Sequence, residues 1–115
     1  MAVGLNVTVE QANNKSILRL QGRLDATSVP LLEKKFNDII DQNQRKFLVD
    51  FARVDYLSSA GLRLLLAISK KLRARGGLCA LCNMADEVLD IIKMAGFEKI
   101  LQIYSTEKDG LAALE

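Results

Sequence analysis

Two stretches of the chain bring together residues that could do chemistry. The first is Asp55-Tyr56-Leu57-Ser58-Ser59-Ala60-Gly61-Leu62, with two adjacent hydroxyls between an apolar run that reads as a strand and one that reads as a helix. Ligand sites in open α/β sheets gather at the carboxyl ends of parallel strands, and this stretch lies at one. The helix start there offers free N–H groups and a positive dipole end to an anion. A phosphate attached to one of these serines would therefore be tolerated without unfolding the helix. On local physics alone the simpler structural reading comes first, with Ser58 as the N-cap and Ser59 merely starting the helix. The two readings are compatible when they apply to different serines. As a cap, Ser58 would accept from the N–H of Ala60 or Gly61, which leaves the Ser59 hydroxyl free.

The second stretch is Cys79-Ala80-Leu81-Cys82, a C-x-x-C spacing that invites redox or zinc chemistry. Reactive pairs of this kind sit at helix starts, where the dipole lowers the thiol pKa. These two lie inside an apolar run, Leu78 to Cys82, that reads as a strand. Residues three apart on a strand point to opposite faces, so the two thiols cannot bridge each other or share a metal. They read as buried structural cysteines, and no metal or cofactor is expected. The chain has no histidine, which removes the usual general base and the commonest metal ligand. A hydrolase elbow would need glycine where Leu57 stands, and no Gly-rich phosphate loop is present. The chain is expected not to be an enzyme.

The elements that must position these residues can be read from periodicity. Leu5, Val7 and Val9 alternate with Asn6, Thr8 and Glu10, and Ser16 to Gln21 alternates again after a turn at residues 12–15, the pattern of a hairpin at a sheet edge. Gly22-Arg23-Leu24-Asp25 leads into a helix with Thr27 or Ser28 as cap and Pro30 in its first turn. Its apolar face is Val29, Leu32, Phe36, Ile39 and Ile40. Phe47 to Phe51 reads as a central strand covered on both sides, Ala52 to Leu57 as a loop, and a second helix starts near Ser58. Leu62, Leu65, Leu66 and Leu72 give that helix its apolar face, and Gly76-Gly77 ends it. After the cysteine strand, Asn83 caps a third helix with Val88, Ile91, Ile92 and Ala95 on one face. A last strand at 101–104 and a short helix at 106–114 complete the order. Alternation of this kind predicts an α/β fold, a mixed, largely parallel sheet of four to five strands with covering helices.

With 115 residues, half of them apolar and 26% charged, the chain fits one domain, residues 1–115. A net charge of +2 gives no footprint for nucleic acid or an anionic membrane. Lys70, Lys71, Arg73 and Arg75 read as a solvated helix end that complements the dipole, or else as a charged edge for a partner. No stretch reaches the length of a membrane span. The opening Met1-Ala-Val-Gly-Leu-Asn lacks the features of a signal peptide, so a cytoplasmic setting is expected.

Gly22-Arg23-Leu24-Asp25, then Tyr56-Leu57-Ser58-Ser59-Ala60-Gly61-Leu62, then a Gly-Gly turn and an apolar strand resemble the anti-anti-sigma factors of the STAS domain family. The likeness runs from about residue 5 to 110. It implies a phosphoprotein that works by partner switching: the unphosphorylated form captures an anti-sigma factor, itself a serine kinase, and so frees a sigma factor. A serine phosphatase reverses the modification. By register on Gly61-Leu62, the family's phosphoacceptor falls on Ser59. The family's acidic residue in the first helix turn is replaced by Ser58, and Ala60 stands where a hydroxyl often comes next. Asp25 matches the family aspartate beside the site, although an aspartate in a turn before a helix is equally a structural device. The resemblance thus implies a partner surface of Asp25, Ser58, Ser59, Gly61 and Leu62. Two other uses stay open: a STAS scaffold or transport-complex component with a stable partner, and a small flavodoxin-like electron carrier or enzyme.

Overall fold

The computed structural model describes residues 4–115. Met1 to Val3, part of the opening expected to carry no signal peptide, lie outside them. The expected hairpin forms from β1 (Leu5–Ala12) and β2 (Lys15–Leu24), antiparallel and in register from Leu5↔Gly22 to Ala12↔Lys15. Next come α1 (Val29–Asp41), β3 (Lys46–Leu57), α2 (Ser59–Ala74), β4 (Leu78–Cys82), α3 (Asp86–Met94), β5 (Gln102–Tyr104) and α4 (Glu107–Ala113). The five strands lie side by side in chain order, and every pair after the hairpin is parallel.

That order decides where the helices go. Each crossover from β2 onward steps in the same direction, so right-handed connections place α1, α2 and α3 on one face. Packing agrees: Phe36 and Ile40 of α1, Leu65 and Leu72 of α2, and Val88 and Ile92 of α3 share one core with Phe47, Val49, Phe51, Cys79 and Leu81. The alternate residues Leu48, Ala80 and Cys82 turn to the opposite face, where α4 covers them with Leu111 and Leu114. Phe47 to Phe51 is buried throughout, in the middle strand of five, as its apolar run predicts.

Beyond the reach of α4 the second face is polar. Arg19 donates to Asp50 at 2.8 Å and to Glu107 at 2.7 Å, and also pairs with Glu10. One guanidinium thus ties β1, β2, β3 and α4 together. Burial is the largest single influence on the Asp50 carboxyl and pushes its pKa up. Hydrogen bonds from the Ala52 N–H, the Asn83 amide and Arg19 outweigh it and hold the group below the usual carboxylate range.

Several expectations need correction. Ala52 to Leu57 is not a loop but the second half of β3, paired as far as Leu24↔Leu57. Two register shifts against β2 each add a residue to β3, so its buried positions become Phe51, Val54 and Leu57, three apart. That spacing hides a strand from a search for alternation. Asn83 does not cap α3; it adopts a positive φ of 59° and bonds Asp50, while Ala85 takes the cap position. Ala95 is exposed, beyond the end of a helix that stops at Met94. Ser28 occupies the cap position of α1 but its hydroxyl bonds the preceding turn, and Thr27 is not the cap. The expected stop at Gly76-Gly77 is a left-handed cap: Gly76 has φ 76°, and Gly77 N–H donates to Leu72 O at 2.7 Å.

Candidate functional site

The paired ends of β2 and β3 set the site at the carboxyl edge of the sheet. Leu24 pairs with Leu57, and the next N–H, that of Ser58, donates to Leu24 O at 2.9 Å. The turn that begins with Asp25 and the start of α2 therefore leave the sheet side by side. Gly61 fixes how closely α2 approaches. A Cβ there would lie 2.8 Å from both the Leu24 carbonyl oxygen and Leu24 Cγ, and 2.9 Å from Leu57 Cδ1. Only glycine lets the first turn of α2 rest on the end of β2.

The two serines divide their work as the capping geometry requires. Ser58 is the N-cap in extended conformation, and its Oγ accepts from the Gly61 N–H at 3.2 Å. Ser59 is exposed in the first turn. Its hydroxyl forms no hydrogen bond among the described residues, and the first turn of α2 carries no acidic side chain. The arrangement offers a free hydroxyl beside an uncompensated positive dipole end.

Asp25 is half-buried and engaged. Its Oδ1 accepts from the Thr27 hydroxyl at 2.6 Å, from Thr27 N–H at 3.0 Å and from Ser28 N–H at 3.3 Å. The Thr27 hydroxyl contributes most to holding this carboxyl below the usual range, joined by those N–H groups and by Arg23. Asp25 organises its turn, and its remaining oxygen faces Arg23 Nε at 3.5 Å. Gly61 and Leu62 are buried, Leu62 with its side chain in the core, so they shape the surface from beneath.

Sequence reasoning missed two residues at this edge. Arg23 and Tyr56 pair across β2 and β3, and the guanidinium lies 4.3 Å from the centre of the half-exposed tyrosine ring. The signal was present, since each stands two residues before a site residue. The bulge that aligns them was not readable. The cysteines, in contrast, are placed as the strand period predicts. Cys79 joins the core under α1–α3 and Cys82 the cluster under α4, and burial pushes both thiols up to about 12. Neither takes part in the site.

A mostly parallel five-stranded sheet with three helices on one face, and two serines where β3 gives way to the second of those helices, defines a small single-unit α/β module. The chain belongs to the STAS domain family, whose model matches residues 6–110. It is 29% identical over 111 residues to BtrV of Bordetella bronchiseptica, provisionally named an anti-sigma factor antagonist, covering 96% of both chains. The crystal structure of an anti-sigma factor antagonist from Mycobacterium paratuberculosis superposes with a TM-score of 0.86 at 24% identity, covering 96% of this chain and 93% of that one. The Bacillus cell fate determinant SpoIIAA in its phosphorylated form gives 0.73 at 21% identity, covering 96% and 100%. No helix among the described residues is long and apolar enough to cross a membrane.

Proposed function

We propose that this protein, acting as one STAS unit, is an anti-sigma factor antagonist switched by phosphorylation of Ser59. The observation that carries this reading is the division between the two serines: Ser58 is committed to Gly61, and Ser59 presents a free hydroxyl. The names borne by its relatives support the kind of partner, an anti-sigma factor. In the proposed cycle that partner doubles as the serine kinase, and a serine phosphatase reverses the mark in the cytoplasm. The surface that docks is Ser59, Ser58 and Asp25, with Arg23 and Tyr56 at its rim. Gly61 and Leu62 hold it in place.

The switch is local and electrostatic. A neutral hydroxyl fits a desolvated contact, whereas phosphate adds roughly −1.5 to −2 charges and three bulky oxygens. Losing about 3 kcal/mol at the contact weakens binding by roughly two orders of magnitude. No rearrangement of the helix is needed, because the added charge sits at the favourable end of its dipole. Calorimetric titration of the cognate anti-sigma factor tests the reading. Ser59→Asp is expected to bind far more weakly than wild type at unchanged fold, and Ser59→Ala to bind but escape phosphorylation. Equal affinity of the Asp and wild-type proteins would count against the switch.

A further inference from the structure

Ser59, Arg63, Leu66, Lys70 and Arg73 succeed one another along α2 at steps of four, three, four and three, which places them in one stripe. The far half of this stripe borders a groove of about 380 Å³ lined by Leu66, Ser69, Lys70, Arg73, Phe97 and Ile100. Its floor is apolar: Leu66 and Phe97 are partly buried against the core, and Ile100 is 49% exposed. Its rim is cationic. The helix α2 carries four basic residues and no acidic one. The dipole accounts for Lys71 and Arg73 in the last turn but not for Arg63 and Lys70. Lys71 is bonded to Asn37 at 2.8 Å, whereas Arg63, Lys70 and Arg73 enter none of the ion pairs among the described residues. Glu98, the acidic residue of the neighbouring loop, lines a separate groove beside β5.

We propose that this groove receives an acidic amphipathic helix from a protein partner, with an apolar side chain seated between Leu66, Phe97 and Ile100 and flanking carboxylates on Arg63, Lys70 and Arg73. Charge complementarity selects the occupant, since two cations without counter-ions, Lys70 and Arg73, rim the apolar floor and Arg63 extends the basic stripe beyond it. Concavity favours an inserted side chain over a flat bilayer. The surface is a second docking site and stands whether or not Ser59 is modified.

The test is a titration of the ¹⁵N-labelled full chain with a synthetic peptide of about four helical turns, leucines at i, i+4 and i+7 and glutamates between them. Amide shifts at Leu66, Lys70, Arg73, Phe97 and Ile100 are expected. Binding should weaken about tenfold or more in Lys70→Glu/Arg73→Glu, whose positions are exposed. This variant should stay folded with a modestly lowered melting temperature, since carboxylates replace cations near the negative end of α2. A scrambled peptide of the same composition binding equally well would overturn the proposal. So would shifts confined to the polar face of the sheet, or indifference to the double charge reversal. Two further outcomes would also overturn it: binding of phosphatidylserine vesicles with no response to the peptide, and self-association of the chain through this groove.

Discussion

Helices α2 and α4 are capped in the same way and differ in the charge of their first turns. Each is headed by a hydroxyl residue whose oxygen accepts from the N–H three positions on, Ser58 from Gly61 at 3.2 Å and Thr106 from Asp109 at 3.1 Å. The first turn of α4 carries Glu107 and Asp109, and Glu107 is clamped to Arg19 at 2.7 Å. Its positive end is complemented by the chain itself and fastened to the sheet. The first turn of α2 has no acidic residue, yet it rests on β2 so closely that Gly61 admits no side chain. A rigid helix start with an unanswered positive end suits a switch, because charge added there has somewhere favourable to sit. The start of α4 has its charge built in and serves structure.

The largest separation of the two starts should come from their glycines. At Gly61 a Cβ would meet the Leu24 backbone oxygen, which cannot yield without moving β2. At Gly110 in α4 the nearest atom is Leu48 Cδ1 at 2.6 Å, the tip of a buried side chain, which can shift at less cost than backbone. Gly61→Ala is expected to lower the unfolding free energy by about 2–3 kcal/mol, and Gly110→Ala by about 1 kcal/mol or less, in urea titrations. Equal costs would show that α2 is no more tightly seated than α4.

Acid titration separates the charged face from the serine edge. Asp50 has a depressed pKa in the folded state, so its stabilisation is present above its unfolded value and is lost as pH falls through the folded one. Thermal melts from pH 6 downward should therefore lose less stability in Asp50→Asn than in wild type. Ser59→Ala, which removes no titrating group, should run parallel to the wild-type curve. A smaller effect is expected from the caps. Ser58→Ala and Thr106→Ala should each cost about 1 kcal/mol by chemical denaturation. Smallest of all, Ser59→Asp should raise stability by about 0.3–1 kcal/mol at low salt by answering the free dipole end, and added salt should erase the gain.

Legibility in the sequence tracks the regularity of each element. The hairpin, the buried middle strand, the cap at Ser58 and the facing of the two cysteines all obey local periods, and the structure has them so. The second half of β3 escaped because two bulges turn an alternation of two into a spacing of three at Phe51, Val54 and Leu57. Asn83 looked like a cap because its type suits one, but its amide is drawn to Asp50, thirty-three residues away. Arg23 and Tyr56 became neighbours only through that same bulged register. Local chemistry was readable from the chain, while contacts set by register across strands were not.

The central claim is that the two adjacent serines hold different jobs, and phosphopeptide mapping tests it most directly. Wild type, Ser58→Ala and Ser59→Ala would each be incubated with the cognate kinase and ATP, digested, and the modified residue located by mass spectrometry. The expected result is phosphate on Ser59 in wild type and in Ser58→Ala, and none in Ser59→Ala. Label that persists in Ser59→Ala and disappears in Ser58→Ala would contradict the account.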